Sequence, residues 1–154
     1  MDIGDLLAPK GVVLRGGASS KRQALHALSE AASHALGVDE AKVFDALMER
    51  EALGSTGLGS GVAVPHARLA EIDRVMAVFV RLDTPVAYDA VDDRPVDLIF
   101  GLFAPPKAGA EHLRALAAVS RALRSPELRE QLRQARTTDA VKALFVKDKA
   151  ATAA

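Results

Sequence analysis

The sequence predicts an α/β fold: a single-domain α/β/α sandwich with a mixed, mostly parallel central sheet flanked by helices. Three observations carry that expectation. Residues 75–82 (VMAVFVRL) and 96–103 (VDLIFGLF) are almost wholly apolar and rich in branched and aromatic side chains, as strands covered on both faces are. Segments with apolar residues at helical spacing stand on either side of these runs. The chain has 154 residues, 49% of them hydrophobic and only 26% charged, enough to bury one substantial core. Helices that bracket buried strands settle best as layers on both faces of a sheet. We expect one domain over 1–154, with a core over about 6–146 and a frayed tail at 147–154, where KDKAATAA is small and polar.

Residues 11–15 (GVVLR) read as a first strand, stopped by Gly16 and Gly17. Ser19 or Ser20 offers an N-cap, and Leu25, Leu28, Ala32 and Leu36 recur at helical spacing until Gly37 ends the helix. Asp39 caps a second helix, with Val43, Phe44, Leu47 and Met48 as its stripe and Arg50 near its end. A glycine-rich stretch, GSTGLGSGVAVPHAR over 54–68, comes next. Between the two apolar strands, TPVAYDAVDDRP is turn-rich, with room for one short strand. Pro105, Pro106 and Gly109 break the chain before a helix over about 111–123. Ser125, Pro126 and Glu127 form an N-cap with proline at the first helical position. Thr138 and Asp139 begin a last helix, which should end near Val146.

Charge and composition exclude several functions. Twenty basic and twenty acidic residues cancel, leaving no long-range pull towards nucleic acid or anionic membrane. From Ala110 onward nine basic residues face five acidic ones, but Phe145 is the only aromatic there, so this reads as a solvated helix face and no nucleic-acid partner is expected. The lack of cysteine removes disulfides, thiolate chemistry and cysteine-based zinc sites. Asp2 and Asp5 stand where a secretion signal needs positive charge, and the longest apolar run is too short to span a bilayer. The expected location is the cytoplasm, without membrane insertion.

The histidines differ in kind. His26, Glu30 and His34 lie at i, i+4 and i+8 but off the apolar stripe, so they read as a solvated face rather than a metal site. His112 opens the helix after the Pro-Pro loop; alone it is an ordinary histidine, but a helix N-terminus suits an anion such as phosphate. His66 is held by Pro65, which fixes the backbone and keeps Val64 extended. Gly54, Gly57, Gly59 and Gly61 permit close backbone approach, through which N–H groups could converge on an oxyanion. Ser55, Thr56 and Ser60 add hydroxyls, and Arg50 carries a guanidinium suited to phosphate. The alternative is a plain glycine turn between helix and strand, since the stretch lacks the ending of a P-loop.

Read as a whole, residues 51–67 resemble the signature of the fructose/mannitol-type (type 2) IIA components of the bacterial phosphoenolpyruvate-dependent phosphotransferase system. An acidic residue is followed after six positions by Leu-Gly, two more residues, and Val-Ala-Val-Pro-His-Ala. Arg50 in REALGSTGLG and His112 in EHLRAL match two further family positions, and the likeness runs from about residue 6 to 145. The stretch DTPVAYDAVDDRPVDLIFGLFAP, in a sequence without fused phosphocarrier, IIB or membrane segment, most resembles the nitrogen regulatory branch.

The resemblance implies that His66 accepts the phosphoryl group on Nε2 from a histidine phosphocarrier protein, itself charged from phosphoenolpyruvate through an enzyme I. Arg50, His112 and the Ser55, Thr56 and Gly57 region would hold the phosphoryl oxygens, with no metal and no cofactor. Phosphorylation state would then govern regulatory partners such as potassium-transport proteins or sensor kinases. The nearest alternative is a sugar-specific IIA component that passes phosphate to a IIB partner for fructose or mannitol uptake. A pure binding module is a third reading, disfavoured because Arg50, His66 and His112 are all present.

Overall fold

The computed structural model describes residues 3–153, with side chains through Val146. In chain order the elements are α1 (Ile3–Leu6), β1 (Leu7–Gly16), α2 (Lys21–Leu36), α3 (Glu40–Ala52), β2 (Gly57–Gly59), β3 (Val62–Ala63), β4 (His66–Arg68), β5 (Met76–Val86), β6 (Val96–Ala104), α4 (Ala110–Ala122), α5 (Pro126–Gln134) and α6 (Thr138–Ala153). The strands form one mixed sheet in the order β1-β5-β6-β3-β2, with β4 also on β6. β1–β5, β3–β6 and β4–β6 pair in parallel, while β5–β6 and β2–β3 are antiparallel.

Helix starts and stops follow local chemistry. Ser20, Asp39 and Ser125 each accept a backbone N–H of the first turn, and Gly37 closes α2 in the left-handed region at φ 70°. Period-two alternation then sorts the β6 side chains. Leu98, Phe100 and Leu102 enter a core with α1, α4, α5 and α6, while Ile99 and Phe103 face α2 and α3 on the other side. At Gly101 the layers come so close that a Cβ would lie 2.7 Å from Leu28 of α2. Phe79, Phe100 and Phe145 lock the opposite face, with ring centroids 5.3–6.5 Å apart.

Three boundaries differ from the sequence reading. β1 begins at Leu7 rather than Gly11, preceded by the short α1, and its register against β5 shifts between Leu7 and Val12. β5 absorbs the first part of the turn-rich segment and ends at Val86, after a register shift against β6. α6 runs past the end expected near Val146, because residues 147–153 contain no glycine or proline to stop it. Of the tail expected to fray, 147–154, the backbone of 147–153 continues α6, and Ala154 lies outside the described residues.

Candidate functional site: a histidine pair with an arginine

Pro65 splits one strand in two. β3 and β4 run along β6 in unbroken register, from Val62↔Leu98 through His66↔Leu102 to Arg68↔Ala104. At the break Val64 donates its N–H to Thr56 O at 3.0 Å, and Pro65 O accepts from Leu102 N at 2.9 Å. His66 therefore opens β4, and the residue is half-buried. Val62 and Val64 enter one core and Ala63 and Ala67 the other.

Two of the glycines upstream serve local geometry. Ser60 and Gly61 both have positive φ (57° and 80°), the backbone of a two-residue hairpin linking β2 to β3. That turn sits at the end of β3 away from His66, against Asp97 and Arg133. Gly57 is needed for space, since a Cβ there would approach the Ala90 Cβ at 2.8 Å.

Two helices converge on the His66 ring. From the last turn of α3, Arg50 donates its Nε–H to His66 Nε2 at 3.1 Å and an Nη1–H to Gly54 O at 2.9 Å. A guanidinium only donates, so Nε2 holds a lone pair and the ring proton sits on Nδ1, which donates to Val64 O at 3.1 Å. From the first turn of α4, His112 stands with its ring centroid 5.6 Å from that of His66. The His112 side chain is buried, and its Nδ1 has no hydrogen-bond partner among the described residues.

Both pKa values lie below the ordinary 6.5. For His66 burial is the main cause; the Val64 carbonyl opposes it, Arg50 reinforces it and Glu51 opposes it. For His112 burial again leads, with His66 and Arg68 adding to it. The fold thus favours two neutral rings, and the unfolded chain binds more protons. Stability contributed here is intact above pH 6.5 and is lost as pH falls through the lowered folded values. A denaturant series across that window should show the slope, and the slope should flatten in a His66→Ala, His112→Ala double variant.

Four residues of this neighbourhood escaped the list of candidates read from the sequence. Arg68, on the same face of β4 as His66, holds the loop before α4 through Nη1 contacts to the carbonyls of Pro105, Pro106 and Ala108 at 3.2, 3.3 and 2.5 Å. Glu51, the acidic residue that opens the signature, is buried and accepts from Thr56 N, from the Thr56 hydroxyl and, at 3.2 Å, from the Tyr88 phenol. Lys21 from the start of α2 completes its shell at 2.9 Å. Burial, together with Glu51, pushes the Tyr88 phenol far above its ordinary value.

The structure therefore brings Arg50, His66 and His112 together, while the hydroxyls of the predicted phosphate turn are committed elsewhere. Ser55 Oγ donates to Tyr88 O at 3.0 Å and accepts Gly57 N–H at 3.1 Å, and Thr56 Oγ1 is held by Glu51 and Tyr88. On the far side of α2, His26 lies between Glu30 (3.3 Å) and Glu40 (3.5 Å) rather than with His34, all on exposed or half-exposed surface. No helix among the described residues is long and apolar enough to cross a membrane.

The family model described as "Phosphoenolpyruvate-dependent sugar phosphotransferase system, EIIA 2" matches residues 5–148. A nitrogen regulatory protein of Bradyrhizobium diazoefficiens is 42% identical over 141 residues, covering 92% of each chain. The crystal structure of nitrogen regulatory protein IIA-Ntr from Neisseria meningitidis superposes with a TM-score of 0.85 at 36% identity, over 93% of this chain and 98% of that one. IIA mannitol from Escherichia coli superposes at 0.75 with 25% identity, over 90% and 98%. On a family match that spans nearly all of its length, the chain belongs to the EIIA 2 family of the phosphoenolpyruvate-dependent sugar phosphotransferase system.

Proposed function

We propose that the chain is a histidine phosphocarrier of the nitrogen-related phosphotransferase system, a single-domain cytoplasmic protein that accepts a phosphoryl group on Nε2 of His66. The observation that carries this reading is the tautomer: with its proton donated to Val64 O, the ring presents a lone pair at Nε2. A histidine phosphocarrier protein supplies the group. The donor's N–P bond breaks, its electron pair returns to the donor ring, and the His66 lone pair forms the new P–N bond. Because Arg50 occupies Nε2 beforehand, it must slide off the lone pair, which frees its N–H groups for the phosphoryl oxygens.

His112 has a buried, unpartnered Nδ1 and the open first turn of α4 behind it, which suits it to a phosphoryl oxygen. Ser55, Thr56 and Gly57 build the turn behind Arg50; direct phosphate contact from this turn requires Ser55 Oγ to leave the Tyr88 carbonyl. The dianion then changes the charge of the face around His66, and regulatory targets such as potassium-transport proteins or sensor kinases read that change. The nitrogen branch is favoured by the nitrogen regulatory relatives from Bradyrhizobium and Neisseria.

A phosphotransfer assay with radiolabelled phosphoenolpyruvate, enzyme I and purified carrier tests this directly. Acid-labile, base-stable label should appear on this chain, faster from a nitrogen-branch carrier than from a sugar-branch one. The reverse order of rates, with onward transfer to a IIB partner, would make it a sugar-specific IIA component for fructose or mannitol uptake.

A further inference from the structure

We propose that Glu51 is a positioning residue for phosphoryl acceptance: with Lys21 as its counter-ion it pins the 54–57 turn, and that turn holds both the His66 tautomer and the Arg50 guanidinium. The proposal rests on His66 being the acceptor. It starts from a cost. A glutamate side chain 4% exposed is expensive to bury, and here it is met by a full shell of donors on Lys21, Thr56 and Tyr88.

Two chains of hydrogen bonds lead from Glu51 to the reacting atoms, one from its carboxylate and one from its backbone. In the first, Glu51 accepts Thr56 N–H at 3.2–3.3 Å; Thr56 O accepts Val64 N–H at 3.0 Å; and Val64 O accepts the His66 Nδ1 proton at 3.1 Å. The carbonyl that decides which ring nitrogen is nucleophilic is thus located by the residue Glu51 grips. In the second, the Glu51 backbone carbonyl accepts Gly54 N–H at 3.1 Å, and Gly54 O receives the Arg50 guanidinium at 2.9 Å. The turn between these two points is otherwise weakly held. Residues 52–55 are exposed, and its other side-chain anchor is Ser55 on Tyr88 O.

Glu51→Gln keeps the shape of the side chain but puts an amide against Lys21 and removes the charge that orders the shell. The ring tautomer, read by 15N NMR on unphosphorylated protein, should change from a single Nδ1–H form to a mixture. Phosphoryl acceptance should fall roughly 10- to 100-fold, as expected when reacting groups lose their alignment. Phe145→Leu, a cavity variant on the opposite core face, is the control for lost stability alone. It should keep the wild-type tautomer and rate even where its melting point drops as far.

A wild-type tautomer in folded Glu51→Gln, or a rate no lower than that of Phe145→Leu, overturns the proposal. If Glu51→Gln does not fold, Lys21→Met carries the same test, with a smaller shift expected in the same direction and no shift again overturning it. The tautomer needs no phosphoryl donor. A wild-type chain that takes no label on His66 therefore sinks the phosphocarrier reading, while the spectra still decide the hydrogen-bond relay.

Discussion

His66→Ala should take no detectable label from a charged phosphocarrier, a loss on the order of 10⁴-fold or more, since the nucleophile itself is gone. The size of the effect follows from the site having one available lone pair. His66 is half-buried on β4, whereas His112 is buried at the start of α4. His112 cannot replace it without moving the helix that carries it. Stability should change little by comparison, because the His66 ring is only half-buried and its removal frees Arg50 to face water. Labelling by phosphoenolpyruvate through purified carrier, beside a thermal melt, separates the two quantities. Label that persists in this variant, on any residue, refutes His66 as the acceptor.

The layered fold was legible because its signals are local and agree with each other. The β5 and β6 runs are apolar on both faces, and Ser20, Asp39 and Ser125 each cap the helix their sequence announces. The acceptor histidine was legible for a different reason: Pro65 before it and the signature around it are contiguous in sequence. What holds the site in place was not. Tyr88 lies 37 residues from Glu51, and Arg68 reaches carbonyls 37 to 40 residues ahead. No periodicity encodes such pairings; they exist only once β4 and the 87–95 loop are folded onto β6. The glycine run was ambiguous for a related reason. Positive φ at Ser60 and Gly61 serves a hairpin, and a hairpin turn and an anion cradle draw on the same residues. The strand that separates the turn from His66 distinguishes the two roles.

Arg50→Met is expected to slow phosphoryl acceptance by about 30- to 150-fold net, and two opposed effects decide that sign. In the resting site Arg50 Nε–H caps the very lone pair that must attack, so its removal should make His66 a freer nucleophile. The cap is one hydrogen bond from a partly exposed guanidinium, of about 1 kcal/mol net, so its loss gains at most roughly tenfold. Against this stands the charge that spreads over three phosphoryl oxygens in transit, for which a preorganised donor supplies about 3–4 kcal/mol. The second effect wins. Arg50→Lys should recover only part of the loss, because an ammonium cannot hold Gly54 O and a phosphoryl oxygen with one rigid plane. The first effect remains visible by another route. Arg50 is one of the causes that lower the His66 pKa, so Arg50→Met should raise that pKa towards 6.5 in an NMR titration while the transfer rate falls. A rate that rises together with the pKa would mean that Arg50 only shields the ring, and that the oxygens are held by His112 and the first turn of α4 instead.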